Sequence, residues 1–106
     1  MLARALSNLL RNAQKYAASA IRVTARRDGT RVTISVEDDG PGIPREERER
    51  IFEPFYRLDR SRDRATGGFG LGLSIARKAV LLHGGALQVG DSALGGAQLT
   101  VVLPQR

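Results

Sequence analysis

Residues 31–44 read Arg-Val-Thr-Ile-Ser-Val-Glu-Asp-Asp-Gly-Pro-Gly-Ile-Pro. Val32, Ile34 and Val36 alternate with Thr33 and Ser35, the period of a strand with one buried face. The alternation stops at Asp38-Asp39-Gly40-Pro41-Gly42-Ile43-Pro44, which no regular element can hold. Upstream, Ile21, Val23 and Ala25 alternate with Arg22, Thr24 and Arg26, and Asp28-Gly29 between the two runs is a hairpin turn signal. Residues 20–37 are thus expected to form two antiparallel strands with one buried face. Leu2, Leu6, Leu9, Leu10, Ala13 and Ala17 recur at helical spacing, which predicts an amphipathic helix from residue 2 to about 17.

Beyond the glycine turn, a short charged helix is expected from about 45 to 52. Residues 54–69 hold Pro54, six charges and Gly67-Gly68 with little periodicity. Loops of that length in a small domain are usually functional lids or disordered. The pattern is helical again from Leu71 to His83, where Gly84-Gly85 supplies a C-terminal cap. Two last strands follow at 86–91 and 97–103, the second with Ala97, Leu99, Val101 and Leu103 on one face. This order implies an α+β fold: a two-layer α/β sandwich with a mixed, mostly antiparallel sheet covered on one face by helices.

The 106 residues suffice for one domain, 1–106, at roughly 100–200 residues per domain. With 42% apolar and 26% charged residues the chain has the composition of a folded globular domain. Absent cysteine excludes disulfides, a thiolate nucleophile and cysteine-based zinc sites. A single histidine excludes a multi-histidine metal site. Aromatics at 5%, without tryptophan, argue against base stacking on nucleic acid. No run reaches the roughly 18 apolar residues of a bilayer span. The start reads as an amphipathic helix, not a signal peptide, so a soluble cytoplasmic setting is expected. The net charge of +6 points to an anionic partner: nucleic acid, a membrane surface or a phosphate-bearing ligand. All of that excess lies in the first 27 residues, on Arg4, Arg11, Lys15, Arg22, Arg26 and Arg27.

Three segments carry chemistry. Asn8 and Asn12 share a helix face one turn apart, with Lys15 and Tyr16 on the next turn. Asparagine favours caps over helix interiors, so this pair suits oxygen ligation of a hard cation such as Mg²⁺, or else a solvated polar stripe. Asp38 ends a strand, where its carboxylate can accept from an exocyclic amine such as that of adenine. Gly40 and Gly42 behind it allow close backbone approach and positive φ, although an ordinary turn would use the same residues. Gly68-Phe69-Gly70-Leu71-Gly72-Leu73 leads into a helix, an arrangement that aims backbone amides at phosphate or serves as a flexible hinge. It lacks the Lys-Ser/Thr of a P-loop, the spacing of a dinucleotide fingerprint and the signatures of Ser/Thr/Tyr kinases.

In this order and spacing the segments resemble the ATP-binding catalytic domain of bacterial two-component sensor histidine kinases, in the superfamily shared with gyrase B, Hsp90 and MutL. Residues 8–16 are similar to its N box and residues 38–42 to its first glycine box. Ile51-Phe52-Glu53-Pro54-Phe55-Tyr56-Arg57 resembles its F box, residues 68–73 its second glycine box, and Leu94 to Pro104 its closing strands. The resemblance implies a Bergerat-type fold that binds ATP and Mg²⁺ and donates the γ-phosphate to a histidine on a separate dimerisation domain. It implies Asn12 as the main metal ligand with Asn8 assisting, Lys15 on phosphate oxygens and Tyr16 against the adenine ring. Asp38 would accept from the adenine amine, and Gly40, Gly42 and Ile43 would shape the base pocket. Gly68, Gly70, Leu71, Gly72 and Leu73 would form the lid end and phosphate-binding helix start, and Arg57 would contact the γ-phosphate. Arg57, Arg60, Arg62 and Arg64 also suit a solvated charge run interleaved with Asp59 and Asp63.

His83 precedes the Gly-Gly stop, where a histidine caps a helix, and is not expected to be the acceptor. The family normally carries a strand before the N-box helix, so the chain is expected to be a piece lacking that strand. Gly95-Gly96-Ala97 stands where the family often has Gly-Thr. The implied partners are the histidine-bearing helical domain of the same kinase and, indirectly, a response regulator. Nucleic acid is not expected. The piece is expected to be a monomer unable to phosphorylate itself, and the whole kinase a homodimer at the inner membrane with this part cytoplasmic. The other readings are an ATPase of the same superfamily and a non-catalytic nucleotide-sensing module.

Overall fold

The computed structural model describes residues 2–53 and 72–104. Helix α1 spans Leu2–Tyr16 and α2 spans Gly72–Leu82. The strands are β1 Ile21–Asp28, β2 Arg31–Asp38, β3 Ala86–Asp91 and β4 Ala97–Pro104, in the sheet order β1-β2-β4-β3. All three ladders are antiparallel. The expected mixed sheet is therefore corrected to an antiparallel one among the described residues. The two-layer α+β arrangement stands.

The core lies between the helices and one sheet face. On α1 the buried positions are Ala5, Leu9 and Ala13, four apart; on α2 they are Ala76, Ala79 and Val80. These helices pack on each other, and the alanines on both surfaces permit close approach. Helix α1 lies over β2 and α2 over β3. Beneath them Val36 pairs with Leu99, Ile34 and Leu87 with Val101, and Val89 with Leu99. Such cross-strand apolar pairs stabilise a sheet face. Leu9, Val80 and Val101 are completely enclosed.

The other sheet face is polar. Ser35 and Thr100 hydroxyls lie 3.3 Å apart, and the Gln98 amide donates to both oxygens.

Three expectations change. The hairpin was expected to bury a face of both strands, yet every residue of β1 is exposed, Val23 by 52%. The helices cover β2 and β3, and β1 lies at the sheet edge beyond their reach. The turn sits one residue later than expected, at Gly29-Thr30, with Gly29 at φ 61°. Residues 45–52 form no α-helix but two 3₁₀ turns, Arg45–Glu47 and Arg50–Phe52. Their bonds run three residues back, from Glu47 N–H to the Pro44 carbonyl and from Glu53 N–H to that of Arg50, both at 2.9 Å. The tighter turn lets adjacent Ile51 and Phe52 both be buried. The Arg77 guanidinium lies 5.0 Å from the Phe52 ring centre and holds this segment to α2.

The end of α2 follows the sequence closely. Gly84 at φ 78° donates to the Leu81 carbonyl at 3.0 Å, and Gly85 donates to that of Val80 at 3.0 Å. That bond pair is a Schellman cap. His83 Nδ1 lies 2.8 Å from the Ala79 carbonyl oxygen, in the capping role expected for it.

The link from α1 to β1 is pinned from β2. The Asp39 carboxylate accepts backbone N–H bonds from Ala18, Ser19 and Ala20 at 2.9–3.1 Å and the Ser19 hydroxyl at 2.7 Å. The Ser19 and Ala20 amides, followed by the Ser19 hydroxyl, hold its pKa well below the ordinary carboxylate range.

Leu9→Ala should lower stability by about 2–5 kcal/mol in urea denaturation, because a filled site becomes a cavity. Val23→Ala should cost less than about 1 kcal/mol. Asp39 stabilises the fold above its unfolded pKa of about 3.9, and this contribution is lost as pH falls toward the depressed folded value. Denaturation curves of the parent and Asp39→Asn should therefore differ at pH 7 and converge as pH falls below about 4. A constant gap down to pH 2 would contradict the assignment.

Candidate functional site

Among the described residues, three segments deliver the predicted ones: α1, the end of β2 with the loop after it, and the start of α2. Helix α1 carries Asn8 and Asn12 on one face, both half-buried. The Asn8 Nδ2 donates to the Gly72 carbonyl at 3.2 Å, which ties the middle of α1 to the first residue of α2. That bond sets the orientation of the amide and leaves its oxygen as an acceptor. At the end of α1, Lys15 Nζ stands 5.6 Å from the Tyr16 ring centre.

The loop after β2 comes against this end of α1. A Cβ on Gly40 would collide with the Tyr16 carbonyl, so only glycine allows this contact. Gly40 and Gly42 were expected to allow close backbone approach and positive φ. Gly40 makes a close backbone approach, and positive φ belongs to Gly42 at 79°. Ile43 is buried in the core, and its carbonyl accepts from Arg48 Nε at 3.1 Å. Arg48 also pairs with Asp91 at 2.6 Å, which ties the 3₁₀ segment to the end of β3.

Asp38 is only 3% exposed. Its Oδ1 accepts from the Gly40 amide at 2.9 Å and the Ala97 amide at 3.3 Å. Its main-chain carbonyl accepts from Gly96 N–H at 3.1 Å. Gly96 must lack a side chain, since a Cβ there would strike the Asp38 carboxylate. The preceding Glu37, 5% exposed, faces the other side of the sheet. Arg22 bonds it through two nitrogens at 2.9 and 3.0 Å, and the Ser92 hydroxyl donates to it at 2.9 Å. The Arg22 bond, helped by Ser92, holds the Glu37 carboxyl below its ordinary pKa against the opposing effect of burial.

The structure thus joins Asn8 to Gly72, Tyr16 to Gly40, and Gly40 to Asp38. Leu73, half-buried, packs on the core beside them. Arg57, Gly68, Gly70 and Leu71 lie outside the described residues, as do Arg60, Arg62 and Arg64. Sequence reasoning assigned nothing to Glu37, Asp39, Ser92 or Gly96. Their contacts with other elements join residues 15 or more apart, and no local spacing signals them. Among the described residues no group of three His, Cys, Asp or Glu is placed to hold a metal ion, and no helix is long and apolar enough to cross a membrane.

Sensor protein RstB of Escherichia coli K12 is 50% identical over 104 residues, covering 98% of this chain and 24% of RstB. Sensor-like histidine kinase SenX3 of Mycobacterium tuberculosis is 42% identical over 106 residues, covering 98% of this chain and 26% of its own. The chain therefore spans about a quarter of the length of these curated relatives. Among solved structures, the mycobacterial sensor histidine kinase MprB superposes with a TM-score of 0.79 at 39% identity, over 97% of this chain and 69% of that one. Full-length ShkA in complex with AMPPNP gives 0.79 at 38% identity, over 95% of this chain and 20% of ShkA. The family described as histidine kinase-, DNA gyrase B- and HSP90-like ATPase matches residues 1–106 from end to end, and the chain belongs to it.

Proposed function

We propose that the chain is the catalytic domain of a two-component sensor kinase, which binds ATP·Mg²⁺ and presents the γ-phosphate to a histidine on a separate helical dimerisation domain. The supporting observation is the convergence of three motif segments: Asn8 bonds the first residue of α2, and Tyr16 at the far end of α1 touches Gly40 beside the buried Asp38. ShkA, of like fold, was solved with AMPPNP.

Each residue then has a task. Among the described residues the bonds to the Asp38 carboxylate fall on Oδ1, which leaves Oδ2 to accept from the adenine amine. Tyr16 lies against the adenine ring, and Gly40, Gly42 and Ile43 bound the base pocket. Asn12 holds Mg²⁺ with Asn8 assisting. Carboxamide oxygens suit this hard cation but bring no negative charge, and among the described residues no group of three His, Cys, Asp or Glu is placed to hold a metal ion. The donor set therefore fits a cation that arrives with the triphosphate rather than a resident ion. When bound, Mg²⁺ neutralises phosphate charge. Lys15 reaches phosphate oxygens, and the start of α2 at Gly72 and Leu73 offers amides and a favourable helix dipole. Gly68, Gly70 and Leu71 extend that cradle, and Arg57 contacts the γ-phosphate through its forked guanidinium.

The domain supplies position and charge, and the partner supplies the nucleophile. His83 is committed to the end of α2 and is not that nucleophile. The whole kinase is a homodimer whose phosphate passes on to a response regulator, and this domain works in the cytoplasm.

The chain alone should bind ATP·Mg²⁺ without labelling itself, and should pass label from radioactive ATP to the histidine of an added cognate dimerisation domain. ATP binding without transfer would leave a sensing module instead. Asn12→Ala should weaken ATP·Mg²⁺ binding by at least about tenfold in calorimetry, as expected for a lost ligand to a charged group. Asp38→Asn should lower the preference for ATP over GTP, and an unchanged ratio would remove the adenine role.

A further inference from the structure

Glu37 and Asp38 are consecutive on β2 and leave the sheet on opposite faces. Both reach the same turn, residues 92–96, which joins β3 to β4. On one face the Ser92 hydroxyl donates to Glu37 Oε1 at 2.9 Å. On the other, the Gly96 amide bonds the Asp38 carbonyl, and Ala97, just past the turn, bonds the Asp38 carboxylate. The turn is closed within itself by Ser92 N–H on the Gly96 carbonyl at 2.8 Å and by Leu94 N–H on the Ser92 hydroxyl at 2.9 Å. It therefore moves as one piece. The β3–β4 pairing at Asp91 and Ala97 and the Arg48–Asp91 ion pair hold the base of the turn, and on the inner face its bonds go to Asp38 itself. On the outer face Glu37 holds it through Ser92, and Arg22 of β1 fixes Glu37 in turn through two parallel bonds.

We propose that Glu37, with Arg22 and Ser92, is a positioning residue for the Asp38 carboxylate. It thereby sets the selectivity for adenine over guanine without touching the nucleotide. The proposal rests on the reading of Asp38 as the acceptor for the adenine amine. Guanine presents a carbonyl oxygen where adenine presents that amine. A carboxylate held still opposes the oxygen and rejects the wrong base, because the mismatch leaves two acceptors face to face. A carboxylate whose supporting turn can shift turns aside and admits guanine.

The test uses the 106-residue chain and its variants Glu37→Gln, Ser92→Ala, their double, and Asp38→Asn, at a temperature where melting curves show all of them folded. Dissociation constants are measured for ATP·Mg²⁺, GTP·Mg²⁺ and inorganic triphosphate·Mg²⁺. Ser92→Ala and Glu37→Gln should each lower the ATP-to-GTP preference by about three- to tenfold, the scale of a disturbed buried hydrogen bond, and leave inorganic triphosphate affinity unchanged. The double variant should be little worse than the more affected of the two single variants, since Glu37 and Ser92 share a contact. An unchanged ratio in the Glu37 and Ser92 variants with a lowered ratio in Asp38→Asn overturns the positioning role and leaves the base reading intact. An unchanged ratio in Asp38→Asn removes the base reading and this proposal with it. A parallel loss of inorganic triphosphate binding, or additive effects in the double, assigns Glu37 a general structural role instead.

Discussion

Three successive carboxylates at the end of β2 hold together the segments that build the candidate site. Glu37 grips Arg22 and the turn at Ser92, Asp38 grips Gly40 and Ala97, and Asp39 grips the amides of 18–20. Neighbouring negative charges repel, and burying them without partners is costly. Here the cost is offset by backbone N–H groups on Asp38 and Asp39, by one guanidinium and a hydroxyl on Glu37, and by a second hydroxyl on Asp39. Backbone donors lose no side-chain entropy when they bond and cannot swing away, so the geometry they impose is stiff. The loop after β2, the turn before β4 and the exit from α1 therefore share one reference point.

Close backbone approach is the second condition, and it depends on residues that contribute little else. Gly40 lets the loop meet the Tyr16 carbonyl, and Gly96 lets the β3–β4 turn meet Asp38. Alanines at 5, 13, 76 and 79 bring the helices together over a core whose fully enclosed members are few. In so small a domain, where the buried fraction of surface is limited, stability comes from tight contact more than from bulk. Helix packing also shapes the site, because the approach of α1 to α2 is what brings Asn8 to Gly72.

The net charge shows how a global property can point the right way for an incomplete reason. The excess of six lies in the first 27 residues, yet only Lys15 of those six bases has a phosphate role in the proposed function. Arg22 is spent on Glu37. Beside Lys15 and Arg57, most of the residues proposed to meet the phosphates are neutral: two asparagines, glycines and the amides of a helix start.

The sequence by itself determined the element order, the two layers and the motif segments. Alternation in 31–37, four-residue spacing in α1 and the Gly-Gly stop of α2 are local signals, and local backbone geometry enforces them. What it could not hold was which surfaces meet. Whether β1 is covered depends on where the helices settle, so its alternation promised a buried face that the tertiary structure leaves open. The segment at 45–52 tightened to 3₁₀ turns because Ile51 and Phe52 both had to reach the core, a demand from outside the segment. Gly40 read as a residue shaped for close approach, and only the fold shows that it also approaches the Tyr16 carbonyl at the end of α1. The acids at 37 and 39 have partners across the sheet and across the hairpin, set by pairing register rather than by spacing. Periodicity is written along the chain, whereas a carboxylate finds its amides only once distant segments have packed.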